Sequence, residues 1–349
     1  MKLGIISDPH LGYFRGTKVH PDGTNVREAD VYEAAYKGVR NLLAAGVDAI
    51  VDLGDLANAP HPKKRAVIRL ISLINSAGMD WYSCGGNHTA QKTSSDAHLY
   101  ELLVAQCPRF HGAFHGPTFF EDIGAYLIPY DTPENVEAAL AQVPDGATFV
   151  GGHWSCDDAD WKGEHVQTNL LPDTLPVLLG HWHKRSVDQN QYLNIPRPTY
   201  VGATERFAWG EATNPTGVAV FDSENCSLTF IEHEARRWVD IHVTPDDYLE
   251  EAHYEDIEGA IVRVNITTTP DQYHSLDLLR VEKKLAASLE HQVRRVGHSS
   301  PEVYQDAGTQ SLSIIEGYKS RIARAEMPKG ISRSEVERIG LEALMEYAE

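Results

Sequence analysis

Residues 1–12 read MKLGIISDPHLG, a short aliphatic run, Leu3–Ser7, that leads straight into Asp8-Pro9-His10. Such a run, ended by a turn signal, predicts a buried strand. An acid and an imidazole one residue apart at the strand end predict a loop built for chemistry. The arrangement recurs down the chain. Ala49–Leu53 precedes Gly54-Asp55, Trp81–Cys84 precedes Gly86-Asn87-His88, Thr148–Val150 precedes Gly152-His153, and Val177–Leu179 precedes Gly180-His181-Trp182-His183. Tyr126–Ile128, Thr199–Val201, Val218–Phe221 and Leu228–Ile231 are further strand-like runs. Helical patterns lie between the early ones: Ala29–Ala45 stops at Gly46, and Ala66–Ser76 stops before Gly78. Strand–helix alternation followed by strands in series predicts an α/β sandwich of two sheets.

The 349 residues are 42% hydrophobic and 23% charged, which excludes a disordered or collagen-like chain. That length also predicts more than one compact unit. No stretch approaches the ~20 consecutive apolar residues of a membrane span. Asp8 interrupts any signal-peptide run, so the expectation is a soluble, unprocessed chain that is cytoplasmic and not secreted. Cys84, Cys107, Cys156 and Cys226 form no CxxC pair, which argues against a disulfide framework or a zinc ribbon. A formal net charge of −19 repels nucleic acid at long range. Binding DNA would then require bound cations, a basic patch or a basic partner. Local basic excess occurs at Lys63-Lys64-Arg65 and along Lys319–Arg333. The 17 histidines are more telling, since neutral imidazole is the commonest metal ligand.

Each strand-end signal is weak alone; five in series point to one chemistry. Two divalent cations about 3.5–4 Å apart need a carboxylate between them and donors around them. Carboxylate, amide and imidazole together suit Mn or Fe as well as Zn. Asp8 and His10 can turn to one cation, and His181 and His183 can serve two separately. Glycines before Asp55, Asn87, His153 and His181 are expected to permit the tight exit that aims each ligand inward.

This set resembles the calcineurin-like metallophosphoesterases, whose pattern is DxH, GDxx, GNH[DE], GH and GHxH. Leu11-Gly12-Tyr13 and the stretch Tyr200–Glu211, YVGATERFAWGE, resemble the DNA double-strand-break repair nuclease branch that contains SbcD, where the stretch reads YPGSxERxxFxE. The resemblance implies that Asp8, His10 and His183 hold one metal, that Asn87, His153 and His181 hold the other, and that Asp55 bridges them. His88 would contact the phosphate or protonate the leaving oxygen. Arg206 is a candidate substrate contact, with a buried ion pair to Glu205 as its structural alternative; His61 is a second candidate, its alternative a solvent-exposed position. Thr89 departs from the family's Asp or Glu, and Asn58 stands where His or Asp is usual three residues after Asp55. Cys156 reads as a small buried thiol, and His111 and His115 in FHGAFHG read as a turn.

Beyond Val239 the pattern changes to strands at Asp240–Val243, Ile261–Ile266 and Val293–Val296 and a helix at Asp271–His291. The expected organisation is a metallophosphoesterase nuclease domain at 1–238, an α+β capping domain at 239–298, a linker at 299–310 and a helical partner-binding segment at 311–349. Helices are expected at Ser311–Ala325 and Ser332–Tyr347. By resemblance the chain is a DNA phosphodiesterase with two divalent metals, Mn first and Fe or Zn as alternatives. It would act as an exonuclease on duplex ends and an endonuclease on single strands, in DNA repair or recombination. The implied partners are DNA, an SbcC-like SMC-type ABC ATPase and a second copy of the chain, in a nucleoid-associated setting. A small-molecule or protein phosphatase is the rival within the same site chemistry, and a non-catalytic scaffold is the rival outside it.

Overall fold

The computed structural model describes residues 1–90, 98–157, 165–186, 191–193, 198–297 and 332. The first part of the chain runs β1 (Lys2–Ile6), α1 (Val26–Ala44), β2 (Ala49–Asp52), α2 (Lys64–Ala77), β3 (Trp81–Cys84), α3 (Leu99–Gln106), β4 (Phe110–Ala113), β5 (Thr118–Phe120) and β6 (Ala125–Ile128). Then come α4 (Pro133–Leu140), β7 (Phe149–Gly152), β8 (Val177–Leu179), β9 (Gln191–Tyr192), β10 (Pro198–Tyr200), β11 (Gly217–Asp222) and β12 (Ser227–Glu232). The last described elements are β13 (Trp238–Val243), β14 (Ile261–Thr267), α5 (Pro270–His274), α6 (Leu278–Lys284) and β15 (Glu290–Val296).

Two sheets form the sandwich, in the orders β4-β3-β2-β1-β11-β12-β9 and β10-β8-β7-β6-β5. Strands β1 to β4 are parallel, with Leu3 opposite Ala49 and Ile50 opposite Trp81, so their C-terminal ends share one edge. Strands β6, β7 and β8 are likewise parallel. The alternation of a strand decides which layer each residue fills. Leu3 and Ile5 of β1 turn inward, onto a core with Leu127, Phe149 and Leu178 of the other sheet. Ile6 turns outward beneath Leu42, Leu70 and Leu73 of α1 and α2. Covered on both faces, these strands read as continuous apolar runs.

Helix α1 starts where the Asn25 side chain accepts from the N–H groups of Arg27 and Glu28, and Gly46, at φ +70°, follows its last residues. Helix α2 closes on Gly78 at φ +68°. The FHGAFHG stretch is not simply a turn. Phe110–Ala113 pairs with Trp81–Cys84 as β4, and His111 stacks on Tyr82 and bonds Asp80 at 3.0 Å. An edge strand carrying a glycine has little apolar pattern of its own, so the neighbouring strand decides its state. Helix α4 had a legible start: Thr132 caps it, with Pro133 in the first turn.

Strands β13, β14 and β15 make a separate parallel sheet over a core of Ile241, Val264, Ile266, Val281 and Leu285. The single helix expected at Asp271–His291 is corrected to two short ones. Ser275 ends α5, Asp277 caps α6 through the N–H of Arg280, and the chain from Glu290 is strand. Two caps within three residues interrupt a periodicity that otherwise reads as unbroken. Residues 1–296 form one compact unit. Within it the third sheet is tied to the sandwich by Lys18 Nζ to the Ser288 carbonyl at 2.7 Å, by Arg236 on Asp30 and by the edge-on pair Trp209–Trp238. The expected linker at 299–310 and the helices expected at Ser311–Ala325 and Ser332–Tyr347 lie outside the described residues, apart from Ser332. No described helix is long and apolar enough to cross a membrane.

Candidate metal centre

The strand ends of β1, β2, β3, β7 and β8 bring Asp8, His10, Asp55, Asn87, His153, His181 and His183 together. His10 Nε2 lies 3.0 Å from His183 Nε2, and Asp8 Oδ1 lies 3.6 Å from the same His183 atom. On the other side Asn87 Oδ1 sits 2.9 Å from His153 Nε2 and 3.0 Å from His181 Nδ1. Asp55 Oδ2 stands between, 3.7 Å from His10 Nε2 and 3.2 Å from His153 Nε2. Three sets of donors are close enough to share an ion: Asp8, His10 and His183; His10, Asp55 and His88; and Asp8, Asp55 and His153. Asp8, Asp55 and His10 each belong to two of the three sets.

The backbone is bent for this purpose at the ligands themselves. Asp8, His10, Asp55 and His181 have φ of 49°, 45°, 56° and 78°, the left-handed region that costs a non-glycine residue of order 1–3 kcal/mol. Hydrogen bonds between the β1 and β2 exits, Asp8 N to Gly54 O and His10 N to Asp55 O, hold that conformation. The glycines before the ligands do a different job from the expected one. Of Gly54, Gly86, Gly152 and Gly180, only Gly54 has a positive φ. A Cβ at Gly86 would overlap the Asp55 carboxylate, and one at Gly180 would overlap Ser7 and the Leu53 carbonyl. Gly86, Gly152 and Gly180 make room for neighbouring groups more than they turn the chain.

The electrostatics fit a cationic occupant. Asp8 and Asp55 are buried carboxylates. Asp52 behind them, donated to by Ser83, has its pKa pushed well up by burial. Burial also raises Asp8, and it drives His10 far down and His181 to about 3. His153 goes the other way: burial opposes its protonation, but Asp55, Asp8 and the Leu53 carbonyl together push it up to about 9. Burial works against ionised Asp55 too, yet His153 holds its pKa below the usual range. Two buried carboxylates thus meet imidazole and amide donors of mixed hardness at one place. That donor set suits divalent metals, and the residues present fit two of them.

A layer of partners orients the donors. His153 Nδ1 donates to the Leu53 carbonyl at 2.7 Å, and His183 Nδ1 lies 2.9 Å from Glu211 Oε1. Glu211 Oε2 accepts from the Phe207 N–H, and the Phe207 ring packs on both His10 and His183. The YVGATERFAWGE stretch therefore borders one half of the site, and Glu211 is a candidate positioning residue to which the sequence reading gave no role. Its signal was the Glu closing the motif. Glu211→Gln is expected to weaken metal binding or activity about 10–100-fold, as loss of such partners does. Metal titration followed by calorimetry checks it; an unchanged affinity and rate would remove Glu211 from the site.

The other candidates fall as follows. His88 is exposed, its ring edge-on to His10 at 4.6 Å, with Nδ1 3.1 Å from the Asn58 carbonyl and its backbone N–H donating to Asp55. Asn58 thus contributes through its main chain. Thr89 is buried and its hydroxyl bonds both N–H and carbonyl of Gly86, closing the turn that carries Asn87 and His88. Arg206 donates to the carbonyls of Asn214 and Arg236. Glu205 is buried against Arg27. His61 is exposed, and Cys156 is buried. Arg65 binds Thr24 and Asp22, while Lys63 lies over the Phe14 ring.

The model of the calcineurin-like phosphoesterase family matches residues 1–185. Among curated proteins, the chain is similar to DNA double-strand break repair protein Mre11 of Methanosarcina mazei, 26% identical over 57% of this chain and 33% of the relative. Proteins of the same name from Haloferax volcanii and Halobacterium salinarum are 26% and 25% identical, over 75% and 76% of this chain. The matches span 62% and 70% of those two relatives.

Proposed function

The chain belongs to the calcineurin-like phosphoesterase family, and from that premise we propose that it is a two-metal DNA phosphodiesterase that processes DNA ends and single strands. The observation that carries the reading is the convergence of Asp8, His10, Asp55, Asn87, His153, His181 and His183, with Asp55 in reach of both halves. Similarity to Mre11 repair proteins along most of the described chain supports DNA as the substrate over a phosphomonoester. Asp8, His10 and His183 would hold one cation, Asn87, His153 and His181 the other, with Asp55 between. When bound, the two cations would lower the pKa of a water and draw charge off the phosphate.

The chain's own groups do the rest. Glu211 and the Leu53 carbonyl keep the Nε2 atoms of His183 and His153 turned toward the other donors. His88, steadied by the Asn58 carbonyl, supplies a proton to the oxygen that leaves as the P–O bond breaks. We further propose Mn as the metal, an SMC-type ATPase as partner, a homodimer and a nucleoid setting. The boundaries 1–238, 239–298, 299–310 and 311–349 belong to the same proposal, with the final segment binding the ATPase. Borrowed DNA affinity would suit a chain of net charge −19.

End-labelled duplex and circular single-stranded DNA, incubated with and without Mn, test the function against p-nitrophenyl phosphate. The expected result is metal-dependent cleavage of both DNAs with little monoester turnover. Monoester turnover without DNA cleavage would favour the phosphatase, and no metal uptake at all would favour the scaffold.

A further inference from the structure

Tyr130 lies between β6 and α4, and its backbone is fixed on both sides. Its N–H donates to the Gly85 carbonyl at 2.7 Å, and the next residue, Asp131, accepts from Thr132 N–H and from Asn135 Nδ2 at the cap of α4. The side chain is nonetheless 43% exposed. Its ring neighbours among the described residues are His181, at 5.9 Å between centroids, and His153, at 6.5 Å. Both belong to the Asn87 half of the site. An aromatic ring that stays half in water forgoes the burial that usually justifies it. Held beside the candidate metal centre, its exposed surface is available to a ligand.

The Asp8 half of the site differs. There the exposed His88 stands against His10. A phosphodiester seated at the site would carry a neighbouring nucleoside past Tyr130 on the His153–His181 side. Base–aromatic stacking is sequence-tolerant and needs no positive charge. That matters for a chain of net charge −19.

We propose that Tyr130 is a substrate-positioning residue, the platform on which the base flanking the reacting phosphodiester stacks, so that the site selects a base-bearing strand. This inference rests on the phosphodiesterase reading above and adds the recognition element. The ring, not the hydroxyl, carries the contact, so phenylalanine should replace it and alanine should not.

The test uses the full chain with Mn and two single-stranded tetramers. Each has one phosphodiester between methylphosphonate linkages; in the second, the bases flanking that phosphodiester are removed. The wild type is expected to prefer the base-bearing tetramer in kcat/KM. Tyr130→Ala should reduce that preference by about tenfold, the scale of one stacked base, while leaving metal content and thermal stability unchanged. Tyr130→Phe should keep the preference. A second readout needs no turnover: 2-aminopurine beside the phosphodiester, with Ca in place of Mn, should be quenched on binding wild type and Tyr130→Phe but not Tyr130→Ala. An unchanged preference and unchanged quenching in Tyr130→Ala would overturn the proposal, as would a Tyr130→Phe variant that behaves like alanine. If the wild type cleaves neither tetramer, the nuclease reading fails, and the fluorescence comparison still decides whether Tyr130 stacks a base.

Discussion

Asp55→Asn is expected to lose both cations together and to abolish phosphodiester cleavage, a larger effect than the 10²–10⁴-fold carried by a single acid–base group. Asp55 Oδ2 is the oxygen that both halves of the site approach, at 3.7 Å from His10 and 3.2 Å from His153. Removing its charge leaves two cations with no anion between them, and their repulsion then opposes double occupancy. Asparagine is the informative replacement because Asp55 sits at φ 56°, which asparagine tolerates better than alanine. Its amide oxygen can still accept from the His88 N–H, now at 2.9 Å. Any loss is therefore one of charge rather than of fold. Metal analysis after gel filtration and a melting curve check it. Asp55→Asn protein that kept two metals per chain and normal cleavage would sink the assignment.

For His88→Gln the expected outcome is full metal content and a turnover reduced about 10²–10⁴-fold. The side chain can be changed cleanly because the residue's structural task belongs to its backbone, which donates to Asp55 in any variant. The Thr89 hydroxyl, bonded to Gly86 on both sides, keeps the turn closed. The ring stands edge-on to His10 and within ion-sharing reach of His10 and Asp55, so ligation is the competing role. The two roles separate in one pair of measurements. A missing metal would make His88 a ligand, and an unchanged rate with both metals present would leave it no part in the reaction.

Much of this architecture could be read along the chain because it rests on local signals. Strands β1, β2, β3, β7 and β8 are short, mostly apolar runs followed closely by Gly, Asp or His, and helices α1 and α2 end at glycines that adopt the left-handed conformation. The seven candidate donors could be named in advance because their residue types and their place after a strand are themselves local facts, which the family resemblance then grouped. Less legible were elements whose state is set by neighbours. Strand β4 exists because β3 offers it an edge, and the stretch 271–291 divides because Ser275 and Asp277 end one helix and start another.

The sequence by itself determined which donors this protein has, in what order, and that an α/β sandwich would present them at one rim. Only the tertiary structure decided which atoms meet. It set Asn87 against His153 and His181, Glu211 behind His183, and Tyr130 beside the second half of the site. It also showed that the strain falls on Asp8, His10, Asp55 and His181, and that Gly86 and Gly180 are there to make room. The physical reason is range. Propensity, capping and patterning act over a few residues, whereas each of these contacts joins segments distant in the sequence that become neighbours only when strands pair within a sheet or the two sheets close on one another.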